Sequence, residues 1–340
     1  MIFDAKISIW ARVFYFLCSC VLLSSCTQST KETLKVVGEH REALVCFYNV
    51  ENLFDTIDDP KTNDNEFLTN SKKEWDYYKY MNKSNRIAQT MRAIGEISFP
   101  KIIGLCEVEN KMVLQDLLLR PAFQNKDYGI IHQESPDARG IDVGLLYAKD
   151  YFSEISRDFI PVNSRDRHVR SRDILYTALV TDTDTFHLYV NHWSSRRGGQ
   201  LKSEPKRKYA ASLLSTHLDS VQGAFSDAHV IIMGDFNDDP WSESVKTLED
   251  DNEMINLSLT LDECGTTYYK KDWYCFDQML VSKSLINSNF PYVPEMNVAR
   301  FDFLSKETSD GVKVPNRTYK GHFYNNGFSD HYPVFMNLYY

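Results

Sequence analysis

The segment His229-Val230-Ile231-Ile232-Met233-Gly234-Asp235-Phe236-Asn237 constrains the chain more than any other. Its first half is a short, β-branched apolar run, the pattern of a strand covered on both faces. Gly234 permits close approach of the backbone, and Asp235 and Asn237 then follow two residues apart. In an extended segment that spacing puts both side chains on one face. A carboxylate and an amide are therefore expected to leave the C-terminal end of a buried strand together, where open α/β sheets bind ligands. Taken alone, an Asp/Asn-rich turn after a strand would read the same way.

Other apolar runs end in the same fashion. Ala43–Tyr48 runs into Asn49, Ile102–Cys106 into Glu107, and Phe186–Val190 into Asn191-His192. Asp277 lies within Cys275-Phe276-Asp277-Gln278-Met279-Leu280, and Ser329-Asp330-His331 precedes the apolar Tyr332–Phe335. In this order the motifs resemble those of the endonuclease/exonuclease/phosphatase superfamily, the fold of deoxyribonuclease I and exonuclease III. Tyr48–Asp55 and Asn191–Gly199 look more narrowly like a bacterial, often lipoprotein, branch of it. Single motifs of this length recur by chance; an ordered set from 49 to 331 is a far stronger signal. The resemblance implies an α/β fold, a four-layer αββα sandwich of two mixed sheets.

The motifs lie near both ends of the mature chain, so one catalytic domain over 42–340 is expected although 340 residues have room for two. A net charge of -9 argues against indiscriminate polyanion binding, although a local basic groove remains compatible with it. Residues 1–26 read as an export signal: Lys6 and Arg12 precede an apolar run, Val13–Leu23, that is too short to span a bilayer. Leu23-Ser24-Ser25-Cys26 resembles a lipobox, which implies lipidation of Cys26 and a polar tether over 27–41. The expected location is the periplasmic or cell-surface side of a bacterial membrane, and a monomer is expected. Cys46 and Cys106 read as core residues. Cys264 and Cys275 flank a hairpin, Thr266–Tyr274, turning at Lys270-Lys271-Asp272; an oxidising compartment would allow them to pair, which spacing alone does not establish.

Helices are expected over Ser84–Ile97 and Val113–Leu119, and from an N-cap at Ser203 with Pro205 following to about Val221. Strands are expected at Ile130-Ile131 and Ile141–Tyr147, and a hairpin over Ile174–Val190 turning at Thr181–Asp184. Thr56–Tyr80 reads as a surface loop plugged by Trp75, Tyr77 and Tyr78. Lys206-Arg207-Lys208 reads as the exposed face of a helix.

Carboxylates and amides, without thiolates or paired histidines, suit Mg2+ or Mn2+. The resemblance makes Glu107 the principal metal ligand, assisted by Asn49 and Asp330. It makes His331 the general base, oriented by Asp277, with Asp235 aligning the attacking water and Asn237 binding a phosphate oxygen. His192 would donate to phosphate or act as a second acid, with Asp142 as its orienting partner. Arg139, Arg196 and Arg197 offer forked donors for phosphate, and Arg172 and Arg317 belong to the same class. Each has a plain alternative: Asn49 caps a turn, Glu107 opens the next helix, an arginine is a solvated charge. The function implied is that of a metal-dependent phosphoesterase, an exported nuclease or phosphodiesterase. The alternatives are a phosphatase or phospholipase-C-like enzyme on small or lipid-linked phosphoesters and, from another class, a silent binding module. Substrate choice lies in loops, which the fold does not dictate.

Overall fold

The computed structural model describes residues 42–96, 98–163, 171–286 and 293–340. The export signal, Cys26, the tether 27–41 and Ile97 lie outside the described residues. The strands of two six-stranded sheets are, along the chain, β1 (Glu42–Leu53), β2 (Ile102–Val108), β3 (Tyr128–His132), β4 (Asp142–Ala148), β5 (Ser153–Ile160) and β6 (Ile174–Val180). They continue with β7 (Thr185–His192), β8 (His229–Asp235), β9 (Met254–Asn256), β10 (Asp277–Ser282), β11 (Met296–Val298) and β12 (Val334–Tyr339). One sheet runs β11-β12-β1-β2-β4-β3, the other β5-β6-β7-β8-β10-β9. Both are mixed: β1 pairs with β2, and β7 with β8, in parallel.

Side-chain alternation builds the layers. Along β1, Ala43, Val45 and Phe47 enter the core between the sheets, where Ile231 and Met233 of β8 also point. Leu44, Cys46 and Tyr48 face the other way, toward Ile87 and Met91 of helix α1 (Tyr77–Ile94) and Val113 and Leu117 of α2 (Lys111–Leu118). On the far side, Val230 and Ile232 of β8 meet Leu214 and Leu218 of α3 (Gln200–Ala224) and Val245 of α4 (Glu243–Asp250). This is the expected αββα sandwich. Each fully buried Val, Ile or Leu contributes about 1.5–3 kcal/mol, so both faces of the central strands are strongly specified.

Several boundaries differ from expectation for local reasons. Asp76 accepts from Lys79 N at 2.8 Å, so α1 begins at Tyr77, inside the segment read as loop. Tyr77 and Tyr78 are consequently exposed helix residues, and Trp75 is the plug, donating to the Phe54 and Asp55 carbonyls. Helix α3 starts at Gln200, after Gly198 and Gly199 in left-handed backbone (φ 85 and 113). Ser203 is therefore not a cap; its hydroxyl bonds back to the Gly199 and Gln200 carbonyls. Arg207 is buried, contrary to its reading as exposed, because it finds a partner in Asp238. Strand β5 was not expected, since its residues are largely exposed and carry no apolar alternation. The hairpin turn at Thr181–Asp184 is present, and a disulfide joins Cys264 and Cys275.

Candidate active site

The face that is apolar between the sheets becomes polar at one end. On β1, the sequence Ala43, Val45, Phe47 leads to Asn49; on β7, Leu188 and Val190 lead to His192; on β8, Ile231 and Met233 lead to Asp235. Asp277, which opens β10, is paired in register with Asp235 and precedes Met279 and Val281 of the same core. Period-two alternation therefore delivers these side chains to one place. Gly234 permits the crowding: a Cβ there would come 2.5 Å from the Asn191 carbonyl oxygen.

Glu107 arrives differently. Cys106 belongs to the inter-sheet core, so regular alternation would send Glu107 toward the helices. Its backbone is left-handed (φ 60), and the register of β2 with β4 shifts between Cys106 and Val108. Such a bulge re-aims a side chain, and a non-glycine residue held there costs about 1–3 kcal/mol. Glu107 Oε1 lies 3.9 Å from His192 Nε2. Asn237 is also left-handed (φ 51), so it does not share an extended face with Asp235. Instead its N–H donates to Asp235 Oδ1 at 2.9 Å, and its amide donates to the Trp193 carbonyl.

Asp235 is the hub. Its Oδ2 accepts from Asn49 Nδ2 at 2.9 Å and lies 3.7 Å from His192 Nε2 and 4.0 Å from His331 Nε2. Burial pushes its carboxyl up to about 7, Asp277 adds to this, and His331 with the two amide donors oppose it. His331 Nδ1 is 2.6 Å from Asp277 Oδ2. Burial works against the imidazolium, but the Asp277, Asp235 and Asp330 carboxylates outweigh it and hold His331 well above the usual histidine range. His192 goes the other way: burial, with Arg172, Arg139 and His331 nearby, holds it well below that range. His192 is thus a neutral donor at neutral pH.

Asp142 does not orient His192. On β4 the side chains of Val143 and Leu145 face the inter-sheet core, so Asp142 points to the opposite face, one residue out of step with His192. Its Oδ1 accepts from the backbone N–H and the hydroxyl of Ser135. The Arg196 fork expected on phosphate holds the turn after Asp235: it donates to the Asn237 carbonyl, Asp238 and Asp239, and stacks over Phe276. Arg172 supports the His192 and Trp193 carbonyls and pairs with Asp137. Arg139 is half-exposed beside Asp137, Arg197 is exposed, and Arg317 bridges Glu51 and Asp330 at 3.3 and 2.9 Å.

Two residues beside the site escaped sequence reasoning. Lys83 is buried in α1, donating to Thr318 Oγ1 and the Phe328 carbonyl. Burial pushes it down to about 8, opposed by the carboxylates of Glu51, Asp330 and Glu107. Glu51, buried likewise, accepts from Thr318 N and is pushed up to about 7 by burial and by Asp330. The signal for Lys83 was its place at helical spacing with Ile87 and Met91, a lysine on an apolar face.

The sequence matches the Endonuclease/Exonuclease/phosphatase family over residues 44–339, and the chain belongs to that family. It is therefore a hydrolase acting on phosphoester bonds, in a superfamily of metal-dependent phosphoesterases. The fold is similar to an endonuclease/exonuclease/phosphatase family protein from Bacteroides thetaiotaomicron, at 15% identity and TM-score 0.56, covering 88% of this chain and 98% of that one. A mannosyl-6-phosphatase of the same organism matches at 15% identity and TM-score 0.54, covering 86% and 98%. The human Nocturnin catalytic domain matches at 14% identity and TM-score 0.53, covering 87% and 93%. No curated protein matches the sequence.

The residues present fit a hard divalent cation. Glu107, Asp330 and Glu51 all act on the Lys83 ammonium, so three carboxylates gather at this end of the sheets. Asp235, Asp277 and His331 form a close-set group beside them, with ligand atoms within 4.8 Å of one another. Oxygen donors in this number suit Mg2+ or Mn2+.

Proposed function

We propose that this chain is a nuclease or phosphodiesterase in which Glu107, Asn49 and Asp330 hold the cation, and Asp235, His331 and Asp277 activate the water. The convergence of Asn49, Glu107, His192, Asp235, Asp277 and His331 from separate strands carries this reading. The bound cation would neutralise phosphate-oxygen charge and charge on the leaving oxygen. Asn49 Nδ2 and Asn237 N fix the Asp235 carboxylate, which aligns a water toward phosphorus. The water's proton passes to the Asp235 carboxylate, beside the charged His331 ring, as the new P–O bond forms and the bond from phosphorus to the leaving oxygen breaks. Asp277 holds the imidazole in place and stabilises its charged form. Neutral His192 donates its Nε2–H to a phosphate oxygen, with the Asn237 side chain as a further phosphate contact.

A second reading, hydrolysis of a small phosphoester, is favoured by one observation. A cavity of about 320 Å³ lies against Glu51 and Arg317, walled by Phe67, Lys73, Tyr319 and His322. That volume is at the lower end of small-molecule sites, which run from about 300 to 1,000 Å³. Initial rates on DNA, RNA, sphingomyelin, sugar phosphates and inositol phosphates, with and without Mg2+, test both readings. Nuclease activity lost in chelator and in Glu107→Gln is the expected outcome. Full activity in excess chelator would overturn the metal-assisted mechanism, and turnover confined to small phosphoesters would replace the first reading by the second.

The same proposal places the enzyme outside the cytoplasm, lipid-anchored at Cys26. The apolar Val13–Leu23 run, the lipobox-like Leu23–Cys26 and the Cys264–Cys275 disulfide support it. Among the described residues no helix is long and apolar enough to cross a membrane. Cys26→Ser should move the protein from the membrane fraction to the soluble one. A wild type already soluble after export would refute the anchor.

A further inference from the structure

We propose that His132, Glu134 and Asp142 form a second divalent-cation site, suited to a borderline transition ion such as Zn2+ or Mn2+. It is separate from the catalytic centre. His132 closes β3 and Asp142 opens the neighbouring β4; His132 lies opposite Gly144, so Asp142 is its diagonal neighbour. Both side chains point to the helix-covered face of the first sheet, whereas His192 and Asp235 point between the sheets.

The ligand atoms of His132, Glu134 and Asp142 lie within 4.8 Å of one another. His132 Nε2 is 3.4 Å from Asp142 Oδ2, and the two side chains are only 2% and 1% exposed. Beyond this contact with each other, neither atom has a hydrogen-bond partner among the described residues. Leaving a buried polar group unsatisfied costs about 1–3 kcal/mol, so two such atoms side by side ask for a ligand between them. Ser135 binds the other Asp142 oxygen and thereby aims Oδ2 into the group, as outer contacts orient metal ligands.

The donor set decides the class of ion. One imidazole nitrogen with two carboxylates suits zinc or manganese better than calcium, which takes oxygen alone. Glu134 is exposed and gives an ion a way in. The bound ion would brace the loop between β3 and β4, which carries Asp137, the partner of Arg172 behind His192.

The test is Zn2+ binding to the full, metal-stripped chain by equilibrium dialysis with metal analysis. It compares wild type, Glu107→Gln, Glu134→Gln, His132→Ala and the Glu107→Gln/Glu134→Gln pair. Glu107→Gln should retain one Zn2+ per chain, and adding Glu134→Gln should weaken that ion by about tenfold or more. Glu134 is exposed, so its variant should fold and decides the matter alone if His132→Ala does not. A Glu107→Gln chain that binds no zinc would overturn the site. So would equal zinc content and affinity in chains with and without Glu134→Gln, which would leave His132 and Asp142 as a plain ion pair.

Discussion

Asp277 Oδ2 lies 2.6 Å from His331 Nδ1, although the residues are 54 positions apart. Asp277 opens β10 in one sheet, and His331 stands just ahead of β12 in the other. The contact therefore forms only when the two sheets pack face to face. With Nδ1 engaged, Nε2 is the nitrogen presented to Asp235, 4.0 Å away. Fold and catalytic unit are completed together.

This arrangement makes the two residues act as one unit. His331→Ala should lower turnover by roughly 10²–10⁴-fold, the usual weight of positioned acid–base catalysis. Asp277→Asn should also impair it, because an amide neither fixes the tautomer in the same way nor stabilises the imidazolium. The double variant should be little slower than His331→Ala alone. Losses that multiply in single-turnover measurements would show that the two act independently.

Glu109 gives the stability of the fold a pH dependence. It is 5% exposed, and Oε2 accepts from Asp55 N. Burial pushes its carboxyl up to about 8; the charges of Asp55, Asp64 and Glu134 add to this, and the Asp55 N–H opposes it. In the unfolded chain a glutamate titrates near 4.3, so between these values the folded state keeps a proton the unfolded state has released. Stability is then greatest at the acid end of the window and falls as pH rises through about 8. Urea midpoints of the metal-stripped protein between pH 5 and 8 should fall less steeply in Glu109→Gln. Parallel curves for the two proteins would refute the assignment.

The strand-end residues were legible because an apolar run broken by one polar group is a sequence signal in itself. Asn49, Glu107, His192, Asp235, Asp277 and Asp330-His331 were found that way, with their order supplying the family. What stayed hidden depends on geometry finer than the pattern. Asp142 sits one residue out of phase with the face it was expected to share with His192. Asn237 reaches its position through a left-handed turn, and Glu107 through a bulge, neither of which composition announces. Arg207 stands in a polar stretch of helix, where a charged residue reads as solvent-facing unless its buried partner is known, whereas Lys83, in phase with Ile87 and Met91, lies on the apolar face of its helix. Strand β5 is an exposed edge and lacks the alternation that marks a half-buried strand.

Arg207 carries the last prediction. Its Nε lies 2.6 Å from Asp238 Oδ2, with both side chains at most 2% exposed. Asp238 also accepts from Arg196 and from the Ser244 hydroxyl, so one carboxylate fastens α3, α4 and the turn after Asp235. Removing one partner of a buried pair leaves the other charged and poorly solvated, typically at about 3–5 kcal/mol. Arg207→Met should approach the lower end of that range, because Arg196 and Ser244 remain on Asp238. Asp238→Asn should cost a similar amount. Since each variant already breaks the pair, the double variant should be less destabilised than the sum of the two. Urea unfolding of the three variants measures the coupling directly. Additive losses, or a cost for Arg207→Met within the ±0.5 kcal/mol usual for surface positions, would return Arg207 to the exposed helix face the sequence suggested.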